Sequence, residues 1–361
     1  TLTATNWVQT PFLGALFGVV RATGETGAPS ACAANKFSCL KLVSTATASI
    51  AAGGNGGSNL EVSLMLDVTG SMDGSKITTL IEAANDLIDT VVWADQSKYT
   101  SRVAIAPFAP SVNVGATYYT AITGQTLSTT TSSCGWTWTW WGWQYQCNTT
   151  TSTDAPCVVD RSGTQAYTDA APGSGTWLKD WNTATSSSGT SCTPSQSIVA
   201  LTSDKTVLHN AINALDANGG TAGALGTAFA WYLLSPNWAS VWGTSSAPAS
   251  YADLTTYNSN GSPKLQKIAV LMTDGDYNIQ FGQNANVTNV NNAALSLCTN
   301  MKAKGIIVYT VGFQLSNNTA KNLLKSCATS TDYFYDASSE DLLLQAFRDI
   351  SLKISSLRLT N

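Results

Sequence analysis

The sequence predicts an α/β fold built on a central, mostly parallel β-sheet, and three observations support that prediction. Short runs of almost continuous apolar residues recur along the chain, as strands buried on both faces require. Longer segments between these runs carry apolar residues three and four positions apart, which is the period of an amphipathic helix. The 361 residues are also enough to bury a large core between such layers.

The predicted elements alternate along the chain. Apolar runs predict strands at residues 60–66, 102–108, 267–273, 305–313 and 332–337. Helical spacing predicts helices at residues 75–93, 289–303, 318–327 and 339–356. In the first of these helices, Ile77, Leu80, Ile81, Ala84 and Leu87 share one face. Strands that alternate with helices in this way form a parallel sheet covered on both faces.

Three regions of the chain differ in composition. Residues 1–59 are rich in Ala, Thr and Gly and are predicted to form an N-terminal extension. Residues 60–110 and 197–361 carry the strand–helix pattern and are predicted to form one α/β domain. Residues 111–196 hold half of the cysteines and seven of the twelve tryptophans. Because this region lacks long periodic helices, we expect a disulfide-bound insertion rich in strands and loops.

Charge and cysteine content limit the classes of partner and the compartment. The formal net charge is −4, and no cluster of Lys and Arg is present, which argues against nucleic acid or an anionic membrane as partner. The even number of cysteines and the absence of C-x₂-C spacing favour disulfides in an oxidising compartment. The candidate disulfide residues lie in neighbouring pairs, Cys32 and Cys39, Cys134 and Cys147, Cys157 and Cys192, Cys298 and Cys327. Their connectivity stays open, because spacing does not fix it.

The start of the sequence suggests an exported chain. It begins with Thr1, and the longest apolar run near that end, residues 12–20, is too short to cross a bilayer. We expect a mature or trimmed chain from which a targeting segment has been removed. Together with the cysteines, this predicts an extracellular or cell-surface protein, with the periplasm as an alternative.

Polar residues at predicted strand ends indicate a metal site. Asp67, Thr69 and Ser71 follow the first predicted strand, Thr221 follows a glycine turn, and Asp274 ends a later strand. Because ligands of open parallel sheets gather at the carboxyl ends of the strands, we expect these residues to converge. Carboxylates and hydroxyls are hard oxygen ligands, which suit Mg²⁺, Mn²⁺ or Ca²⁺.

The order of these residues resembles the metal-ion-dependent adhesion site of von Willebrand factor A domains. The stretches LMLDVTGSM, NGGTAGALGTAFAWYLLSP and IAVLMTDGDYN also resemble the TadG-like proteins of bacterial tight-adherence (Flp/type IVb) pilus systems. The resemblance covers roughly residues 60–110 and 197–357. It implies a Rossmann-like von Willebrand A domain in a bacterial adhesion or pilus-assembly protein that is not an enzyme.

The resemblance also implies how the site works. Thr69, Ser71 and Thr221 would offer hydroxyls to Mg²⁺, Mn²⁺ or Ca²⁺, and Asp67 and Asp274 would bind directly or through water. One coordination position would remain for a carboxylate of a protein ligand or neighbouring subunit. Mg²⁺ keeps waters when few carboxylates bind it, and an incoming carboxylate can displace one of them.

Other interpretations remain open at this point. Asp67 could cap the following helix and Asp274 could form a turn, without any metal. The protein could instead be a structural subunit of a self-assembling surface filament or layer, or a homo-oligomer, in which a metal only stabilises the fold. An enzyme would need a general base near the metal, and Asp276 is the nearby candidate. The sequence has a single histidine, His209, which argues against Ser-His-Asp triads, Cys-His dyads and HExxH metallopeptidase sites. We expect His209 to be an ordinary helix residue.

The stretch CGWTWTWWGWQYQC, residues 134–147, predicts a β-hairpin. Period-2 alternation places Cys134 opposite Cys147, Trp136 opposite Tyr145 and Trp138 opposite Trp143, with Gly142 available for a positive φ at the turn. We expect the aromatic face to pack on the core or on Trp177 and Trp181. Trp140 and Trp141 fall at the tip and are candidate contacts for sugar, protein or a neighbouring subunit.

Overall fold

The computed structural model describes residues 2–9, 39–46, 57–186, 191–259 and 261–356. The chain divides into two compact units, Thr1–Ala52 and Gly53–Asn361. In the first unit, strand β1 (Leu2–Gln9) pairs with β2 (Cys39–Ala46) in antiparallel register, with Leu2 opposite Ala46. The rest of the predicted N-terminal extension, residues 10–38 and 47–56, lies outside the described residues.

The second unit contains the remaining strands and all the helices of the described chain. The strands are β3 (Asn59–Asp67), β4 (Ser101–Phe108), β5 (Val112–Asn113), β6 (Ser128–Thr139), β7 (Gly142–Thr153), β8 (Cys157–Val159), β9 (Lys179–Asp180), β10 (Val199–Thr202), β11 (Leu265–Thr273), β12 (Ile279–Gln280), β13 (Gln283–Asn284), β14 (Ile307–Phe313) and β15 (Phe334–Ala337). The helices are α1 (Ser75–Val91), α2 (Gly115–Thr123), α3 (Trp181–Thr185), α4 (Lys205–Asn213), α5 (Gly223–Tyr232), α6 (Ala239–Trp242), α7 (Val287–Ala303), α8 (Asn318–Cys327) and α9 (Glu340–Ser356).

A six-stranded sheet forms the centre of this unit, in the order β10, β4, β3, β11, β14, β15. Every neighbouring pair is parallel except β10 with β4. The central strands are buried along nearly their whole length, which explains their continuous apolar sequence. The predicted α/β class with a central, mostly parallel sheet is therefore confirmed.

Helices cover both faces of the sheet. Side chains of α1, α4 and α9 share one buried cluster with β3 and β4, as Leu87, Leu208 and Phe347 show. Side chains of α5 and α7 form the opposite cluster, which includes Phe229 and Leu297. Burial of a side chain of this size stabilises the fold by about 1.5–3 kcal/mol. No helix in the described ranges is both long and apolar enough to span a bilayer.

The strand order places a topological switch point at one edge of the sheet. From β3 the chain continues to β4, on one side, whereas β11 continues to β14, on the other. The connections therefore leave the neighbouring strands β3 and β11 in opposite directions. Ligands of open α/β sheets bind outside the carboxyl ends of strands at such a switch point. Asp67 ends β3 and Asp274 follows β11, so both residues lie at this position.

Between β4 and β10 the chain forms smaller structures. Strands β5, β8 and β9 make an antiparallel three-stranded sheet, and β6 and β7 make a separate two-stranded sheet. Disulfides join Cys134 to Cys147, Cys157 to Cys192, and Cys298 to Cys327. The last of these bonds connects α7 to α8. Cys32 and the side chain of Cys39 lie outside the described part of the chain.

Candidate functional site

The carboxylate of Asp67 is held by hydrogen bonds to both of its oxygens. It is fully buried, at the last position of β3. Thr69 donates to Asp67 Oδ1 from its backbone nitrogen, at 2.9 Å, and from its hydroxyl, at 2.6 Å. Thr273, the last residue of β11, donates to Asp67 Oδ2 at 2.6 Å. Since a buried charge is costly without such partners, these donors fix the carboxylate in place.

A short 3₁₀ turn, Gly70–Met72, links Asp67 to Asp274 through the side chain of Ser71. It places Ser71 Oγ 3.0 Å from Thr69 Oγ1, and Ser71 Oγ contacts Asp274 Oδ1 at 2.6 Å. Asp67, Thr69, Ser71 and Asp274 thus form one continuous row of oxygen atoms. The two carboxylates come from neighbouring strands and are more than two hundred positions apart in the sequence.

Thr221 belongs to a loop that packs against this row. Gly70 N donates to Gly219 O at 2.9 Å, and Asn218 N donates to Val68 O at 2.9 Å. Thr221 is buried, and its backbone nitrogen donates to Asn278 Oδ1 at 3.0 Å. Within the described contacts, the structure joins Thr221 to the other four predicted residues through the backbone of its loop rather than through its hydroxyl.

The glycine turn before Thr221 is required by space and backbone conformation. Gly219 has φ of +83°, which residues with a side chain rarely adopt. A Cβ atom at Gly219 would lie 2.7 Å from Pro110 Cδ, and one at Gly220 would lie 2.8 Å from Ile279 Cγ1. Only glycine therefore fits the loop between Pro110 and Ile279.

Lys76 also belongs to the site. Its ammonium group lies 2.7 Å from Asp274 Oδ2, the carboxylate oxygen that Ser71 leaves free. The Asp274 side chain is fully buried, whereas that of Lys76 is 23% exposed. The sequence offered a signal for this pair, because a cation in the first turn of a helix opposes the helix dipole unless a carboxylate compensates it. Thr273, next to Asp274 in the sequence, is the other contact that the motif alone did not predict.

The two carboxylates interact unfavourably with each other. Burial, and after it the negative charge of Asp274, raises the pKa of Asp67 from 3.8 to about 6, against the lowering effect of hydrogen bonds from Thr273 and Thr69. Two buried carboxylates face a single lysine. The site therefore favours an additional positive charge.

The number of protons available for hydrogen bonds also indicates that the site favours an additional positive charge. Three short contacts join Asp67, Thr69, Ser71 and Asp274, but each hydroxyl has only one proton to donate. With both carboxylates ionised, two protons are available for three contacts. A proton on Asp67 would supply the third. A cation bound to the lone pairs of the two hydroxyls would instead hold these oxygens together without a third proton.

The residues fit a hard divalent cation. Carboxylate and hydroxyl oxygens suit Mg²⁺, Mn²⁺ and Ca²⁺. Neighbouring ligands of octahedral Mg²⁺ lie about 3 Å apart when each bond is about 2.1 Å, which matches the hydroxyl oxygens of Thr69 and Ser71. The described residues contain no group of three or more His, Cys, Asp or Glu side chains that could hold a metal, so hydroxyls would have to complete the ligand set.

The carboxylates of Asp73 and Asp276, which are near the site residues in the sequence, form hydrogen bonds outside the row from Asp67 to Asp274. Asp73 is exposed and accepts from the backbone nitrogen of Gly74 at 2.8 Å. Asp276 accepts from the side-chain amide of Asn317 at 2.7 Å. His209 lies on α4 and contacts Asn85 and Asp89 on α1. No hydrogen bond in the described structure joins these three residues to the row from Asp67 to Asp274.

The tryptophan-rich hairpin has the predicted register but a different environment. Cys134 lies opposite Cys147, Trp136 opposite Tyr145 and Trp138 opposite Trp143. Gly142 has φ of +100° beside the two-residue tip, where Trp140 is 93% exposed and Trp141 85% exposed.

The expectation that the aromatic face is buried is wrong. Its four rings, Trp136, Trp138, Trp143 and Tyr145, are between 60% and 67% exposed. Trp177 packs near Gly124, and Trp181 lies near Gly282. The alternating pattern establishes that one face is aromatic, but it does not determine what covers that face.

No protein-family model and no curated protein matches this chain. Among solved structures, the pilus adhesin SpaC from Lactobacillus rhamnosus GG is similar at 11% identity and a TM-score of 0.42, over 82% of this chain and 30% of that one. The vWF domain of the type V pili tip protein Mfa5 from Porphyromonas gingivalis is similar at 13% identity and a TM-score of 0.42, over 83% and 96%.

Proximal thread matrix protein 1 from the mussel byssus is similar at 13% identity and a TM-score of 0.37, over 83% of this chain and 46% of that one. The chain thus spans less than half the length of SpaC and of the byssus protein. All three likenesses are distant, so the function has to follow from the residues themselves.

Proposed function

We propose that this protein is an exported bacterial adhesion or pilus-assembly protein that binds an acidic side chain of a partner through a Mg²⁺-type cation. In this proposal the protein does no covalent chemistry. The pilus setting is the one implied by the resemblance of its motifs to TadG-like proteins. The cation would be held by Asp67, Thr69, Ser71, Thr221 and Asp274.

One observation carries the proposal: two buried carboxylates and two hydroxyls form a row that is short of one proton. A row with a purely structural role would need a protonated Asp67 to complete its hydrogen bonds. The pKa of Asp67, about 6, leaves this group mostly ionised at neutral pH. A bound cation would satisfy the same oxygens at neutral pH.

The surrounding residues keep the row in position. Thr273 and the backbone nitrogen of Thr69 fix the orientation of Asp67, and both are buried. Ser71 is exposed, so the row is open to a partner at Ser71. When bound, a divalent cation would supply a coordination position that an acidic side chain of the partner can take.

Calorimetric titration with MgCl₂ tests the proposal. We expect wild-type protein to bind with a dissociation constant in the micromolar to millimolar range and Asp67→Asn to show no measurable binding. Asp73→Asn is the matched control, because Asp73 is an exposed carboxylate of the same loop. It should bind as the wild type does.

The partner's carboxylate needs a separate test. Peptides that differ only in Asp or Asn should be titrated into wild-type protein with Mg²⁺ and with EDTA. Binding of the Asp peptide in Mg²⁺ alone would support the proposal. Failure of Mg²⁺, Mn²⁺ and Ca²⁺ to bind would contradict it and favour a structural subunit of a surface assembly. Metal binding without carboxylate binding would limit the metal to a stabilising role.

A further inference from the structure

The hairpin formed by β6 and β7 is an extended surface structure. Its ladder runs without a register shift from Ser128 opposite Thr153 to Thr139 opposite Gly142. It forms a two-stranded sheet by itself, closed by the disulfide between Cys134 and Cys147. Nearly every residue of both strands whose side chain is described is exposed. An isolated hairpin of this kind is at best marginally stable in water, so further contacts would stabilise it.

One face of the hairpin is aromatic near the tip and hydroxyl-rich near the base. The aromatic rings form two cross-strand pairs, Trp136 with Tyr145 and Trp138 with Trp143, each with ring centroids 5.5 Å apart. Towards the base, Ser128, Thr130 and Ser132 pair with Thr153, Thr151 and Thr149 through hydroxyl contacts. A contiguous group of exposed aromatic rings marks an interaction surface.

The hairpin carries no charge. Residues 128–153 contain no Asp, Glu, Lys, Arg or His, whereas the whole chain has a net charge of −4. Two copies of an acidic chain repel each other at most points of contact, but not at this one. A neutral surface also offers no opposite charge to an anionic or cationic partner. The charge pattern therefore favours a neutral, largely apolar partner, and a second copy of the hairpin presents such a surface.

The exposed area is sufficient for such a contact. Aromatic side chains bury roughly 150–250 Å² each, so four rings about two-thirds exposed offer on the order of 500 Å² per copy. A pair of copies would bury about 1,000 Å² through these rings, close to the lower limit of specific interfaces. The hydroxyl rows and the tip rings of Trp140 and Trp141 lie beside this area and would enlarge it.

The alternatives fit the geometry less well. A sugar stacks on an open ring face, but in both pairs the rings meet edge to face, with interplanar angles of 67° and 72°, which covers part of a ring face. A lipid bilayer would surround two strand edges whose backbone groups are unpaired, and such groups are costly in hydrocarbon. A second hairpin requires neither arrangement.

We propose that the aromatic face of this hairpin packs against the same face of a second copy of the chain. Two identical faces related by a two-fold axis form a closed, self-complementary contact. Facing sheets pack about 10 Å apart, a distance that interleaved aromatic side chains fill. The contact uses no residue of the proposed metal site, so the two proposals can fail independently.

Sedimentation velocity in EDTA, from micromolar to several hundred micromolar protein, tests this contact. Wild-type protein should dimerise as concentration rises. Trp138→Thr/Trp143→Thr should weaken dimerisation at least tenfold, because it removes one aromatic pair and keeps residues that favour strands. The matched control is Gln144→Thr/Gln146→Thr on the opposite face, which should dimerise like the wild type.

Two further measurements distinguish loss of the dimer contact from loss of the hairpin fold. Mass mapping of the disulfide between Cys134 and Cys147 shows whether each variant closes its hairpin. The quenching of tryptophan fluorescence by acrylamide can be measured on wild-type protein alone. This quenching should decrease as the dimer forms. A wild-type chain that stays monomeric throughout would overturn the proposal, as would a face variant that dimerises normally. Binding of the monomer to phosphatidylcholine vesicles or dextran, without dimerisation, would also overturn it.

Discussion

The row of oxygens beside Asp67 and the tryptophan hairpin hold their side chains in opposite ways. At the sheet edge, Asp67 and Asp274 are fixed by neighbouring strands, a 3₁₀ turn and a glycine loop, all packed together. In the hairpin, each aromatic ring is positioned mainly by its cross-strand partner and by one disulfide. The first arrangement depends on distant parts of the chain, whereas the second is nearly complete within 26 consecutive residues.

This difference determines how each region should respond to change. A substitution at the sheet edge leaves buried polar groups without partners, and that penalty falls on the whole fold. A substitution in the hairpin alters a local and exposed structure, which can open without unfolding the core. The largest loss of stability is therefore expected from a substitution at the sheet edge, and the smallest from one in the hairpin.

Gly219→Ala should cause the largest loss of stability. The new Cβ would lie 2.7 Å from Pro110 Cδ, at a backbone φ of +83°. We expect the free energy of unfolding to fall by about 3 kcal/mol, since both strain and displacement of the loop contribute. Gly163→Ala is the matched control, with φ of +87° and no atom within 4 Å of the new Cβ, and should cost about 1 kcal/mol. Equal losses in urea denaturation would show that the loop is not tightly packed.

Lys76→Met should lower the stability of the metal-free protein but strengthen its binding of Mg²⁺. Without metal, the loss of the contact with Asp274 should lower the free energy of unfolding by about 2 kcal/mol. Removing a positive charge beside the proposed cation should strengthen Mg²⁺ binding by roughly tenfold, about 1.4 kcal/mol. Thermal unfolding in EDTA and calorimetry with MgCl₂ measure the two effects. Weaker Mg²⁺ binding by Lys76→Met would contradict this assignment.

The pH dependence of metal-free protein should reveal the buried carboxyl of Asp67. Its pKa is about 6 in the folded state against 3.8 in the reference state, so the folded protein binds more protons between these values. Stability therefore falls as pH rises through this window and levels off above about pH 6.

A second buried carboxyl group contributes to the same pH dependence. Burial also raises the pKa of Asp160 to about 6, outside the metal site. In urea denaturation with EDTA, Asp67→Asn and Asp160→Asn should each remove only part of the pH dependence. An unchanged profile in Asp67→Asn would contradict the raised pKa of Asp67.

Removal of the hairpin disulfide should have the smallest effect on global stability. In Cys134→Ser/Cys147→Ser we expect the near-ultraviolet circular dichroism of the tryptophans to change. The free energy of unfolding measured in urea by the helical signal should fall by about 1 kcal/mol or less, because the hairpin opens locally. Cys298→Ser/Cys327→Ser removes a buried bond between α7 and α8 and should cost about 3 kcal/mol. Equal losses in the two variants would mean that the hairpin unfolds with the core.

The sequence predicted the two regions to different extents. The strand and helix pattern was sufficient for the central sheet, because buried parallel strands are continuously apolar and their helices are amphipathic. Asp67, Thr69, Ser71 and Asp274 could be grouped because strand ends meet at one edge of the sheet. Lys76 and Thr273 were not predicted, since their roles depend on which strands are neighbours. The hairpin register followed from alternation, but the exposure of its aromatic face depends on tertiary packing.

Diffraction from crystals soaked in MnCl₂, with anomalous data collected for manganese, tests whether the row of oxygens beside Asp67 binds a metal. We expect an anomalous peak in contact with the oxygens of Ser71 and Thr69, beside Asp67 and Asp274, at about 2.1–2.2 Å from the directly bound oxygens. The same soak of Asp67→Asn crystals should show no peak there. Wild-type crystals without manganese at this position, with the row of hydrogen bonds from Asp67 to Asp274 intact, would contradict the account.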